Sequence, residues 1–226
     1  FNNMGTPVNN PLSKEYTPAL GFDWLSIWYD LAIKLTMPEG KFRSLLIDHL
    51  KPSAGEYILE FGFGTGANLL LAAKRSPQSQ FKGLDIDPKI LKIANKKLIR
   101  HKLDIPLKLY EGCLFPFESN SFDKVYSCLV FHHLDKKAKL KSLREIYRVL
   151  KPGGKIIIGD WGKAKSKMMR KAFYLVQILD GFKTTNDNVD GLLPKYMKIA
   201  AFNAVSEIGF INTKLGSFCY YEGLKN

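Results

Sequence analysis

The chain has 226 residues, 46% of them apolar and 24% charged, which suits a single domain with a sizeable core and is neither a disordered nor a membrane-spanning composition. No apolar run approaches the roughly 18 residues that a bilayer-spanning helix requires, so a soluble, cytoplasmic protein is expected. The net charge of +13, from 34 basic against 21 acidic residues, is open to three partners: a nucleic acid, an anionic membrane surface or an acidic substrate. A plainer reading is also open. In KILKIANKKLIRHK and KKAKLKSLREIYRVLK the cations interleave with apolar residues at helical spacing, as on the solvated faces of amphipathic helices.

The first stretch, FNNMGTPVNNPLSKEY, has no basic segment followed by an apolar one, so a secretory leader is not expected, and Met4 is a candidate natural start. Residues up to about 50 are rich in aromatics, including Tyr16, Phe22, Trp24, Trp28 and Tyr29, and end in the amphipathic KFRSLLIDHL. They are expected to form a helical lid ahead of a catalytic α/β core spanning 51 to 226, the whole being one domain.

From Tyr57 onward, β-rich segments alternate with helical patterns, which predicts a parallel sheet with crossover helices. The expected strands are 57 to 61, 81 to 85, 107 to 111, 122 to 129 and 155 to 160. Asp87 before Pro88 forms an N-cap and first-turn pair for the helix carrying Leu91, Ala94 and Leu98. A later helix with Leu140, Leu143, Tyr147 and Leu150 is expected to stop at LKPGG. A helix over about 165 to 179 follows, then a polar loop TTNDNVDG and a helix through LLPKYMKIAA. AVSEIGF and SFCYYEG, separated by INTKLG, predict a closing antiparallel hairpin. The expected fold is thus a doubly wound, Rossmann-like seven-stranded sheet, mostly parallel with an antiparallel C-terminal hairpin.

Three widely spaced cysteines, Cys113, Cys128 and Cys219, suit a reducing compartment and form no metal-ligand pattern, so no metal is expected. The chemistry lies in EFGFGTGANLLL (60 to 71), where Gly62, Gly64 and Gly66 lead from a strand into a helix. Glycine permits the tight turn and close ligand approach there, and the helix N-terminus offers free N–H groups to an anionic moiety. The same letters satisfy a loose dinucleotide fingerprint, and Asp85, about 20 residues on at a strand end, would hold ribose hydroxyls in either class.

EFGFGTG (60 to 66), GLDIDPKIL (83 to 91), EGCLFPFESNSFDKVYSCLVFHHL (111 to 134) and REIYRVLKPGGKIIIGD (144 to 160) occur in the order found in class I S-adenosylmethionine-dependent methyltransferases. The chain resembles in particular the ubiquinone/menaquinone C-methyltransferase group, and Tyr29-Asp30 and the final hairpin are similar as well. By that resemblance Glu60, Gly62, Phe63, Gly64 and Gly66 lie around the methionine portion of the cofactor. Asp85 and Ile86 lie at its ribose, Glu111 and Gly112 near its adenine, and Cys128 beside the transferred methyl group. Glu111 stands where aspartate is commoner, and Phe63 where a small residue is frequent.

The strand edge at 127 to 129, with His132, His133, Asp160 and Trp161, is expected to border the methyl group, because ligands bind beyond the carboxyl ends of parallel strands. His132 and His133 are the candidate catalytic bases, and Tyr16, Trp28, Tyr29, Asp160 and Trp161 the candidate acceptor contacts. SCLVFHHL replaces the Asn/Asp-Pro-Pro-aromatic motif of adenine and cytosine N-methyltransferases, which disfavours DNA-base methylation. The sequence therefore implies S-adenosylmethionine, with S-adenosylhomocysteine as product, and a small hydrophobic or aromatic acceptor, with peripheral contact to an anionic membrane. The alternatives are RNA or protein methylation through the basic surface, a non-catalytic cofactor-binding module, and a nicotinamide-dependent enzyme.

Overall fold

The computed structural model describes residues 38–112 and 114–226. Strands β1 (Tyr57–Phe61), β2 (Gln80–Asp85), β3 (Leu107–Leu109), β4 (Phe122–Cys128), β5 (Leu150–Trp161), β6 (Asn203–Asn212) and β7 (Ser217–Leu224) form one sheet in the order 3-2-1-4-5-7-6. β1 to β5 pair in parallel, and β7 lies antiparallel to both β5 and β6. This is the doubly wound sheet with a closing hairpin that the alternating pattern predicts.

The central strands are apolar on both faces because both are covered. Ile58, Tyr126 and Ile157 face α1 (Glu39–Leu50), α2 (Ala67–Arg75) and α3 (Pro88–Arg100), which contribute Leu46, Leu69, Ala72 and Leu98. Leu59, Val125, Ile156 and Ile158 face α4 (Lys136–Val149) and α7 (Leu193–Ile199), which contribute Leu143, Ile146 and Met197. Each such side chain stabilises the fold by about 1.5–3 kcal/mol relative to exposure. α5 (Lys167–Asp180) and α6 (Phe182–Val189) lie beyond the carboxyl end of β5, where Phe173 of α5 packs edge-on against Trp161 at 5.3 Å.

Four expectations are corrected. The amphipathic segment assigned to the lid is the core helix α1, with Phe42, Leu46, Ile47 and Leu50 at most 1% exposed. The polar run expected as a loop is helix α6, because its polar groups find partners inside the protein. Asn188 donates to the Trp161 carbonyl at 2.9 Å, Thr185 to the Gly181 carbonyl at 2.6 Å, and the Thr184 carbonyl accepts from buried Lys139 at 2.7 Å. LKPGG stops the helix after Val149 as expected, but its turn lies within β5 rather than ahead of it. It is drawn into β5, where Leu150 pairs with Phe122, Lys155 pairs with Lys124, and the register shift between them accommodates the intervening residues. The third strand ends at Leu109, leaving Glu111 beyond it.

Most cations on α3 and α4 are exposed, as amphipathic helices require, whereas Lys139 is fully buried. Burial lowers its pKa against the opposing pull of Asp187 and Asp160. Among the described residues no helix is long and apolar enough to cross a membrane.

Candidate functional site

The strand order reverses between β1 and β4, so the crevice beyond their carboxyl ends is the topological switch point at which doubly wound sheets bind ligands. A cavity of about 250 Å³ opens there, lined by Gly62, Gly64, Asp85 and Ile86 on one side and by Cys128 to Val130, His133 and Leu134 on the other. Tyr110 and Ile90 contribute further apolar wall.

The glycine turn is held by two contacts. Gly62 N–H donates to the Leu84 carbonyl at 2.7 Å, and Gly64 N–H donates to Asp85 Oδ2 at 2.9 Å. Asp85 Oδ1 accepts from the Ile86 and Asp87 amides at 2.7 and 3.2 Å, so the carboxylate is pinned at the cavity edge. Burial raises its pKa, while the Gly64, Asp87 and Ile86 amides oppose that shift. Asp87 caps α3 by accepting from Lys89 N–H at 2.7 Å, with Pro88 in the first turn, as the sequence predicts.

Gly62 and Gly64 both sit at positive φ, +74° and +50°, yet a side chain would meet different surroundings at each. A Cβ at Gly62 would lie 2.2 Å from Val130 Cγ2, whereas one at Gly64 would meet nothing within 4 Å and would stand at the cavity wall. Gly62→Ala should therefore destabilise the fold by about 2 kcal/mol or more through strain and overpacking. Gly64→Ala should be milder in urea unfolding and should weaken cofactor binding more than it lowers stability. A Gly64→Ala chain with unchanged affinity would show that the cofactor does not use this wall.

Glu60 lies beneath the turn with no solvent exposure, accepting from Asn68 Nδ2 at 2.8 Å and the Tyr126 hydroxyl at 3.1 Å. Arg43 of α1 donates to Asn68 Oδ1 at 2.7 Å and completes the chain. Burial pushes the Glu60 carboxyl up to about 8, against the pull of those two donors and of Arg43. Cys128 lines the cavity, and burial holds its thiol protonated, up to about 12.

Beyond β4, Phe131–His133 form a single 3₁₀ turn anchored by Asp160. Asp160 Oδ2 accepts from the Phe131 and His132 amides at 2.7 and 3.3 Å, and Oδ1 from the Trp161 amide and His132 Nδ1, each at 2.7 Å. A carboxylate can only accept, so His132 carries its proton on Nδ1. The His133 ring lies 3.8 Å from that of His132 and faces the cavity. Burial, reinforced by His132, lowers its pKa well below the usual histidine value, so it is neutral at pH 7.

Of the residues singled out in the sequence, the cavity brings together Gly62, Gly64, Asp85, Ile86, Cys128 and His133. Gly66 ends the turn as the left-handed N-cap residue of α2, away from the cavity lining. Phe63 is packed in the core, where Gly83 leaves room for its ring: a Cβ there would lie 2.7 Å from Phe63 Cδ1. Glu111 is exposed and off the lining, and Gly112 sits beside Ile86. His132, Asp160 and Trp161 are buried behind it. Tyr16, Trp28, Tyr29 and Cys113 lie outside the described residues. The partners that sequence reading missed, Arg43, Asn68 and Tyr126, are joined to Glu60 only by the fold. Tyr110 and Val130 carried no motif signal either.

A carboxylate at the end of β2, a glycine turn after β1 and a cavity at the switch point define a nucleoside-binding α/β protein. Comparison with known proteins narrows this class. Residues 59–158 match the methyltransferase domain family. A demethylmenaquinone methyltransferase of Symbiobacterium thermophilum is 30% identical over 174 residues, 74% of this chain and 67% of that protein. Among solved structures, a SAM-dependent methyltransferase from Aquifex aeolicus shares the fold with a TM-score of 0.63 at 18% identity, covering 95% of this chain and 97% of that one. Phosphoethanolamine N-methyltransferase 2 of Haemonchus contortus, solved with phosphomonomethylethanolamine and S-adenosylhomocysteine, shares it with a TM-score of 0.64 at 18% identity, covering 81% of this chain and 52% of that one. The chain belongs to the S-adenosylmethionine-dependent methyltransferases and is similar to the group acting on menaquinone precursors.

Proposed function

We propose that this methyltransferase acts on a small, hydrophobic or aromatic acceptor of quinone-precursor or lipid-like character. The observation that carries the reading is the wall of the cavity beyond β4, where Leu129, Val130 and Leu134 supply apolar surface and no described lysine or arginine is present. An anionic acceptor such as a phosphorylated amine or a nucleic acid would call for cations there. The similarity to demethylmenaquinone methyltransferase supports the same class.

S-Adenosylmethionine supplies an electrophilic methyl group on a sulfonium. The residues fit such a ligand: Gly64 leaves open space where a Cβ would stand, and Asp85 presents a carboxylate, pinned at the cavity edge, that would accept from ribose hydroxyls. In this reading Glu60, through Asn68 and Arg43, shapes the methionine end, and Ile86 with Gly112 borders the adenine. Methyl transfer is an in-line displacement, so alignment and exclusion of water supply most of the acceleration, and a base is needed only if the acceptor must lose a proton. His133 is the candidate for that role, being neutral and directed to the cavity. His132, locked by Asp160, positions it. The acceptor would be enclosed by a lid formed by residues up to Met37, together with α5 and α6.

The test is release of S-adenosylhomocysteine over a panel of naphthoquinols, phenols, thiols, amines and phospholipids. Turnover is expected with the apolar aromatic members, and should disappear without loss of cofactor binding when residues up to Met37 are deleted. Turnover confined to phosphorylated amines or RNA would overturn the acceptor class. Unchanged turnover in the truncated chain would remove the lid.

A further inference from the structure

Helix α5 is apolar on two sides. Its inner side places Met169, Phe173 and Val176 in the core against the end of β5. Its outer side exposes Met168 at 70%, Leu175 at 53% and Ile178 at 68%, with Tyr174 beside them, and Phe182 at the start of α6 continues the patch at 47%. The 14-residue helix is about 21 Å long. Single exposed hydrophobics are ordinary, but several along one face of one helix mark a binding surface.

The charges around this face select the occupant. Lys167 and Lys171 lie within it, and Lys163 and Lys183 border it, all four exposed. Of the nearby acidic residues whose side chains are described, Glu207 pairs with Lys165 and Asp187 turns inward to Lys139. Asp190 shares a depression with Lys163, Lys167 and Arg170. We infer that the outer face of α5, continued by Phe182 and Lys183, docks on an anionic membrane surface. Apolar side chains flanked by lysines enter the headgroup boundary while the cations meet anionic lipid, the arrangement that binds interfacial helices. A nucleic acid would leave Leu175 and Ile178 without a partner. A two-fold contact with a second copy would set the same lysines against one another.

The inference deepens the lipid-like acceptor reading and rests on it for its purpose, since in that reading α5 forms part of the lid over the acceptor. Its test uses no acceptor, so the two fail separately. The full chain is sedimented with phosphatidylcholine vesicles with and without phosphatidylglycerol. Binding is expected only with the anionic lipid, weakening with added salt. Lys167→Gln and Lys171→Gln should each lower the partition coefficient about fivefold. Leu175→Ser/Ile178→Ser should abolish binding while leaving S-adenosylhomocysteine affinity unchanged. Three results would overturn the inference: no binding of the unaltered chain, full binding of the serine variant, or a solution dimer that the serine variant converts to monomer.

Discussion

Replacing Asp85 with alanine is expected to weaken S-adenosylhomocysteine binding by about 100-fold or more, because each hydrogen bond to a charged group contributes about 1.5–3 kcal/mol and two ribose hydroxyls lose their partner together. Asp87→Ala should leave affinity within a few-fold of the parent. Its loss is a helix cap worth about 1 kcal/mol, because its carboxylate accepts from Lys89 N–H. The two variants are chemically identical deletions only two residues apart, so the comparison cancels any general effect of removing negative charge. Calorimetry on both, with NAD as a ligand expected to give no heat, decides the matter. Equal affinities would strip Asp85 of the ribose role, and tight NAD binding without S-adenosylhomocysteine binding would overturn the cofactor itself.

The second large effect concerns Glu60. Its carboxyl is raised from the usual 4.5 to about 8 by burial, so between those values the folded chain holds a proton that the unfolded chain has released. The contribution of Glu60 to stability must then fall as pH rises through that window and cease to fall above it. Glu60→Gln keeps the shape and removes the proton. The stability difference between the variant and the parent should change in the variant's favour by up to about 1.4 kcal/mol per pH unit from about pH 5 to 8. Urea unfolding at several pH values measures it. A difference independent of pH would mean that Glu60 is ionised throughout. A cationic ligand nearby favours the ionised carboxylate, so cofactor binding near pH 7 should release a proton, visible as a buffer-dependent binding enthalpy.

What the sequence shows of this protein follows from how local each signal is. The parallel strands are legible because burial on both faces forces continuous apolar runs, and the cap at Asp87 is legible because Pro88 marks the start of its helix. Helix α6 is not. Its polar composition argues for solvent, and only the packed structure reveals that Lys139 and the Trp161 carbonyl wait for those groups. The network from Arg43 through Asn68 and Glu60 to Tyr126 joins residues up to 83 positions apart, a pairing no window of sequence displays. Phe63 shows a different limit. Its role depends on the space left by Gly83 on the neighbouring strand.

The sheet order also constrains how the protein is made. β6 leaves the ribosome before β7, yet its only strand partner among the described residues is β7, which is inserted between it and β5. Until β7 arrives, the edge of β5 stands open along Ile156 to Ile158, an apolar template for pairing with another chain. A nascent chain that has reached Asn212 therefore holds every described residue that lines the switch-point cavity and still cannot close its sheet. Slow translation or early termination in the last hairpin should consequently yield aggregates rather than a partly active enzyme, and a chaperone that shields the β5 edge would raise the soluble yield.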